Sequence, residues 1–204
     1  MTGRSNKKEV FQELQALYEK MEAEYNRVAH RIGLNCLGCQ DNCCKSYFRH
    51  HTYLEWAYLW QGLRRIDPSR LQSFQQKARE YVEKSKYMLE NNQTPRIMCP
   101  LNEEGWCAVY EHRLMICRLH GVPNRVRMPD GRTRTFPGCS VCREVTRKWE
   151  QVPYLDRTPL YVELASLERR FLGRKRISLG KVDMTLADML LQGPPSIAAP
   201  PEED

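Results

Sequence analysis

The chain has 204 residues, a formal charge of +7 and 41% apolar residues. That suits one globular domain with appendages and a core that needs no crosslinks. No run of about 18 apolar residues occurs, so no membrane-spanning helix is expected. The first residues, MTGRSNKKEVFQELQ, carry charges where a signal peptide has its apolar stretch, so the expected location is cytoplasmic.

Val10, Leu14, Leu17, Met21, Tyr25, Val28 and Ile32 recur at alternating spacings of three and four, which predicts an amphipathic helix within residues 1–34. Gly33 closes it. The repeat also permits a coiled coil, although packing on its own domain is the simpler reading. A second, aromatic-rich helix is predicted over 53–66, ended by Asp67-Pro68-Ser69. A third covers 69–90, with Leu71, Phe74, Ala78, Tyr81, Val82, Met88 and Leu89 on one face. Residues 96–142 read mostly as loop, with a short helix over 111–119. Asp130-Gly131, between Val126-Arg127 and Thr133-Thr135, suits a tight hairpin. A further helix over 159–171 lies in a C-terminal extension, 146–192. The Pro-rich end, 193–204, is expected to be disordered. The expected class is mainly α: helices around a loop-rich, cysteine-ligated metal-binding core, 35–145, with at most a small β-hairpin.

The nine cysteines decide the chemistry: Cys36, Cys39, Cys43, Cys44, Cys99, Cys107, Cys117, Cys139 and Cys142. In a reducing compartment disulfides seldom persist, and closely spaced thiols read as metal ligands. Disulfides and unrelated buried thiols are the rival readings. Two residues between Cys36 and Cys39, and between Cys139 and Cys142, let one turn aim both sulfurs at one point. The adjacent pair Cys43-Cys44 differs, because neighbouring side chains diverge. One of the two then serves a second metal, or another iron of one cluster. Nine thiols suffice for two sites of four with one left over, or for one site plus structural thiols. All-thiolate ligation fits zinc or an iron–sulfur cluster and fits magnesium or calcium poorly; spacing does not choose between iron and zinc. Ligating thiolates also reduce the apparent basicity: two four-thiolate sites, each net −2, lower the formal charge to about +3.

Cys36-x2-Cys39-x3-Cys43-Cys44 resembles the CxxCxxCC signature of a zinc- or iron-chelating family often described as holding an iron–sulfur cluster. Cys99-Pro100-Leu101, Cys107 with Tyr110, Arg113-Leu114 and Cys117-Arg118 resemble its downstream motifs, and a last family cysteine falls on Cys139 or Cys142. The resemblance covers roughly 35–145. It departs twice: one extra residue precedes the Cys pair, and the family's Arg-Pro is Arg113-Leu114. The missing proline is expected to let the 111–119 helix run unbroken. The resemblance implies metal or cluster binding, and a tuning role for Arg118. A related group, the flagellin lysine methylases, joins such a core to methyl transfer. No separate nucleotide-binding domain is visible here, so that activity is not carried over.

Arg113 and Arg118 flank Cys117 and are candidates to donate hydrogen bonds to sulfur, against a plain surface role. Tyr110, Trp106 and the aromatic helix would shield a cluster or simply pack. His112 and His120 are lesser ligand candidates, His50 and His51 weaker still. Arg125, Arg127, Arg132 and Arg134 straddle the hairpin, where an acidic partner or a solvated surface explains them. Arg174-Lys175-Arg176 reads as surface. No phosphate-binding glycine loop occurs, and no isolated Cys–His nucleophile stands out.

Three functions follow. The favoured one is a protein holding an iron–sulfur cluster, [4Fe–4S] at one or two sites, in a redox or accessory role with a protein partner. The second is a zinc-stabilised module for a protein or nucleic-acid partner, nucleic acid being the less expected. The third is a cluster-dependent modifying enzyme.

Overall fold

The computed structural model describes residues 7–36, 39 and 43–197. The fold is mainly α, with two small sheets. The chain divides into two compact units that interleave in sequence. The first comprises residues up to Cys43 and Met115–Phe171; the second comprises Cys44–Leu114 and the residues from Leu172 onward.

In the first unit, α1 (Lys7–Ile32) buries Val10, Leu14, Leu17, Met21, Val28 and Ile32, the expected stripe apart from Tyr25, which is half-buried. It packs on the short α4 (Met115–Leu119) and is tied to α6 (Thr158–Leu172) by Lys20–Glu163 (2.7 Å), by Arg170–Glu13 and by a Phe11–Phe171 ring contact at 5.7 Å. The stripe is thus covered within its own unit. Leu34 N–H donates to Ala29 O (2.9 Å) and Gly33 N–H to His30 O (3.1 Å), the paired bonds that satisfy a helix's last carbonyls. The expected hairpin forms from β3 (Asn124–Arg127) and β4 (Thr133–Phe136), joined by a five-residue loop rather than a two-residue turn. A parallel third strand, β5 (Leu155–Asp156), pairs with β3. Arg125 and Arg127 share one face with Thr135 and Thr133, while Arg134 lies opposite Val126 on the other. Asp156 pairs with Arg125 at 3.3 Å, and Asp130 with Arg132 at 2.5 Å. The hairpin is therefore not a continuous cationic face. α5 (Ser140–Val145) follows it.

In the second unit, α2 (Tyr53–Leu63) starts at Thr52, whose hydroxyl oxygen accepts from Glu55 N–H. α3 (Pro68–Glu90) starts at Asp67, whose carboxylate accepts from Ser69 N–H at 2.8 Å, with Pro68 in the first turn. α7 (Leu186–Gln192) opens with a reciprocal Thr185–Asp188 capping box. The core contains Trp56, Leu59, Trp60, Phe74, Tyr81, Leu101, Leu114, Met189 and Leu190. Trp60 Nε1–H donates to Met189 O (3.0 Å) and Trp56 Nε1–H to Gly193 O (2.9 Å), so the aromatic helix forms core. A second small hairpin, β1 (Asn102–Glu103) and β2 (Trp106–Cys107), was not expected.

Three local expectations are corrected. The α3 stripe ends with Ser85 buried and Leu89 46% exposed, because the last turn runs past the core. The 111–119 helix is interrupted. A 3₁₀ turn spans Tyr110–His112, Arg113 is extended (ψ 140°), and α4 begins only at Met115. The buried His112 ring stacks on Tyr58 at 4.7 Å and Leu114 is buried, so tertiary packing breaks the helix without a proline. Of the 193–204 segment, Gly193 accepts a tryptophan hydrogen bond and Ile197 is buried; 198–204 lie outside the described residues.

Candidate metal centre

Cys36, Cys39, Cys43, Cys117, Cys139 and Cys142 belong to the first unit; Cys44, Cys99 and Cys107 belong to the second. The adjacent pair Cys43-Cys44 is split between them. No disulfide joins any of the nine.

In the first unit, Tyr25 sits on α1 two turns before its end, with its hydroxyl 3.8 Å from Cys36 Sγ. Burial, then the Cys36 thiolate and its hydrogen bond, then the charges of Cys139 and Cys43 push this hydroxyl above the usual tyrosine range. Sulfurs from two distant stretches of chain thus act on one oxygen. Cys139 caps α5, its sulfur accepting from Cys142 N–H at 3.4 Å, while its own N–H donates to Gly121 O at 3.0 Å. Cys142 is wholly buried; burial, then the Cys139 charge, pushes its thiol up to about 11, with Cys36 adding a smaller push. Two glycines make room for this arrangement. A Cβ at Gly138 (φ +86°) would lie 2.5 Å from Gly121 O and 2.7 Å from Cys142 Sγ. One at Gly121 (φ +121°) would lie 2.6 Å from the Tyr25 hydroxyl.

In the second unit, Cys99 N–H donates to Cys44 O at 2.9 Å, Asn102 N–H donates to Cys99 O at 2.9 Å, and Asn102 pairs with Cys107 across β1–β2. One run of backbone hydrogen bonds and strand pairing therefore links the three cysteines. Cys99 and Cys107 pack, partly buried, against the core. Burial, then the Cys99 charge, pushes the Tyr81 hydroxyl up to about 12.

Among the described residues, no three Cys, His, Asp or Glu side chains converge closely enough to hold a metal ion. In the first unit, Cys36 Sγ lies 3.8 Å from the Tyr25 hydroxyl, and Cys139 and Cys142 are joined through the Cys142 N–H. Their donor chemistry suits a thiophilic metal or cluster.

The Arg118 guanidinium lies over the Tyr18 ring at 4.1 Å. Arg113 stacks on Tyr110 at 3.5 Å and donates from Nε to its carbonyl, and Trp106 lies 6.4 Å from the Tyr110 ring. Both aromatic rings are exposed, so this stack is a surface feature of the second unit. His112 is wedged against α2, where a Cβ at Gly62 would lie 2.5 Å from its ring. His50 is buried in a bridge to Met184, and burial, then the His51 charge, pushes it down to about 3. Tyr25, Gly121 and Gly138 escaped the sequence reading. Tyr25 is the only stripe residue of α1 with a polar tip, and that was the available signal.

No protein-family model, curated protein or solved structure matches the chain. The likeness to the cysteine-cluster family rests on its motifs.

Proposed function

We propose that the protein holds an iron–sulfur cluster through cysteine thiolates and serves in a redox or accessory role. One observation carries this: the Tyr25 hydroxyl lies 3.8 Å from Cys36 Sγ and against Gly121, whose carbonyl accepts from Cys139 N–H, while the Cys139 sulfur accepts from Cys142 N–H. Cys36 and Cys43 from one stretch and Cys139 and Cys142 from another, all in the first unit, supply four thiols, the number one [4Fe–4S] cluster uses. We assign Cys36, Cys43, Cys139 and Cys142 as its ligands. Cys44, Cys99 and Cys107 form a second pool, in keeping with a second site. When bound, the group supplies one-electron chemistry. The chain's own contribution is to deliver the sulfurs, bury Cys142 and keep a protonated tyrosine beside them.

The nucleic-acid reading loses support, because the hairpin arginines are divided between faces and two are paired to aspartates. The test compares the full chain with its Cys139→Ser/Cys142→Ser double variant, both purified without oxygen and assayed for iron and acid-labile sulfide. Loss of one cluster's complement, with the helical circular dichroism retained, is expected. Unchanged iron in the variant overturns the ligand assignment, and a wild-type chain carrying zinc alone overturns the cluster.

A further inference from the structure

The first unit spends a tyrosine where packing requires only a ring. Met21 and Val28, the stripe residues on either side of Tyr25, are fully buried, yet Tyr25 is half-buried and its hydroxyl ends 3.8 Å from Cys36 Sγ. The backbone opposite is shaped around that oxygen. Any side chain at Gly121 would reach within 2.6 Å of it, and Gly121 O simultaneously holds the N–H of Cys139. One short loop therefore borders both the hydroxyl and the start of α5, which carries Cys139 and Cys142.

A phenol next to a thiolate can only donate, because the thiolate has no proton to offer. A hydrogen bond to an anionic sulfur fixes its direction and draws charge from the metal it binds. We propose that the Tyr25 hydroxyl donates to the Cys36 thiolate in the loaded protein, making Tyr25 a positioning residue for the metal-binding sulfurs of the first unit. This rests on the reading above that those thiols hold a cluster. Hydrogen bonds to cluster sulfurs favour the more reduced, more negative state, so removing the donor lowers the potential.

The test uses the full chain, purified without oxygen, as wild type, Tyr25→Phe and Tyr18→Phe. Tyr18 lies on the same helix under the Arg118 guanidinium and serves as the control. Iron, sulfide and zinc per chain, the midpoint potential and the rate of metal loss to a chelator are measured. Tyr25→Phe is expected to keep its metal complement while its potential falls and metal leaves several-fold faster; Tyr18→Phe is expected to match wild type. Equal potentials and equal loss rates in Tyr25→Phe and wild type overturn the proposal, as does an equal change in Tyr18→Phe. If Tyr25→Phe fails to fold, 3-fluorotyrosine at position 25 decides. It retains the ring and strengthens the donor, so the potential must rise, and an unmoved potential overturns the proposal. A wild-type chain that binds zinc instead of iron refutes the cluster but leaves Tyr25 judged by the zinc loss rate, where faster loss in Tyr25→Phe supports it and equal loss overturns it. A chain that binds neither metal refutes both.

Discussion

Cys142 and His50 are the two residues whose burial has the clearest chemical consequence. With its thiol pushed up to about 11, Cys142 is protonated at neutral pH, and only a metal that competes with the proton turns it into a ligand. In the metal-free, reduced protein at pH 8, Cys142 is expected to be the slowest thiol to react with iodoacetamide, read by mass spectrometry of its peptide. Alkylation as fast as at the exposed Cys36 would contradict its placement. His50 shifts the other way. Its folded value is held near 3, below the ordinary value for histidine, so the stability it contributes is complete above about pH 6.5 and is lost as the pH falls toward 3. Between pH 7 and pH 5 that amounts to about 2 kcal/mol. Urea unfolding of wild type and His50→Phe at both pH values should show the variant losing less stability over that interval. Parallel losses would contradict the buried neutral histidine.

Among the elements, α5 and the turn leading to it are the most exacting. Gly138 combines a left-handed φ with no room for a Cβ against Gly121 O, a backbone atom that cannot swing aside. Gly138→Ala is expected to destabilise the protein by about 1–3 kcal/mol and to speed alkylation of Cys142, as α5 loses its seat. A melting temperature within error of wild type would show that the turn tolerates a side chain. The same region shows how far the sequence is legible. α1, α2, α3 and α6 were readable because each is long enough to repeat its apolar spacing, and α2 and α3 have a capping threonine and aspartate in view. α7 is too short for periodicity, and its one signal was the Thr185-x-x-Asp188 box. β5 has two residues and exists only because β3 lies beside it. The 111–119 helix failed at Arg113 because burial of His112 and Leu114 outweighs local propensity. At the site, the thiols could be read from spacing. Their grouping depends on which chain segments fold together, and that was beyond spacing.

For the whole molecule, the cysteines divide six to three between the units, and the Cys43-Cys44 pair is split. If thiolates of the first unit hold a cluster, the bound group stabilises the fold by mass action, by a few kcal/mol when saturated. Chelation under reducing conditions should therefore lower the melting temperature of the wild type and leave that of the Cys139→Ser/Cys142→Ser variant much less affected. An equal fall in both would assign the effect elsewhere. Among the described residues, no helix is long and apolar enough to cross a membrane. The formal charge of +7 falls as thiolates ligate, so weak retention on heparin is expected of the loaded protein. The central claim is the cluster itself. Its most direct test is iron, sulfide and zinc per chain, with a visible spectrum, on protein purified without oxygen. The account predicts a brown protein with iron and sulfide in equal amounts, about four of each for one site. A colourless protein, carrying zinc or no metal, would contradict it.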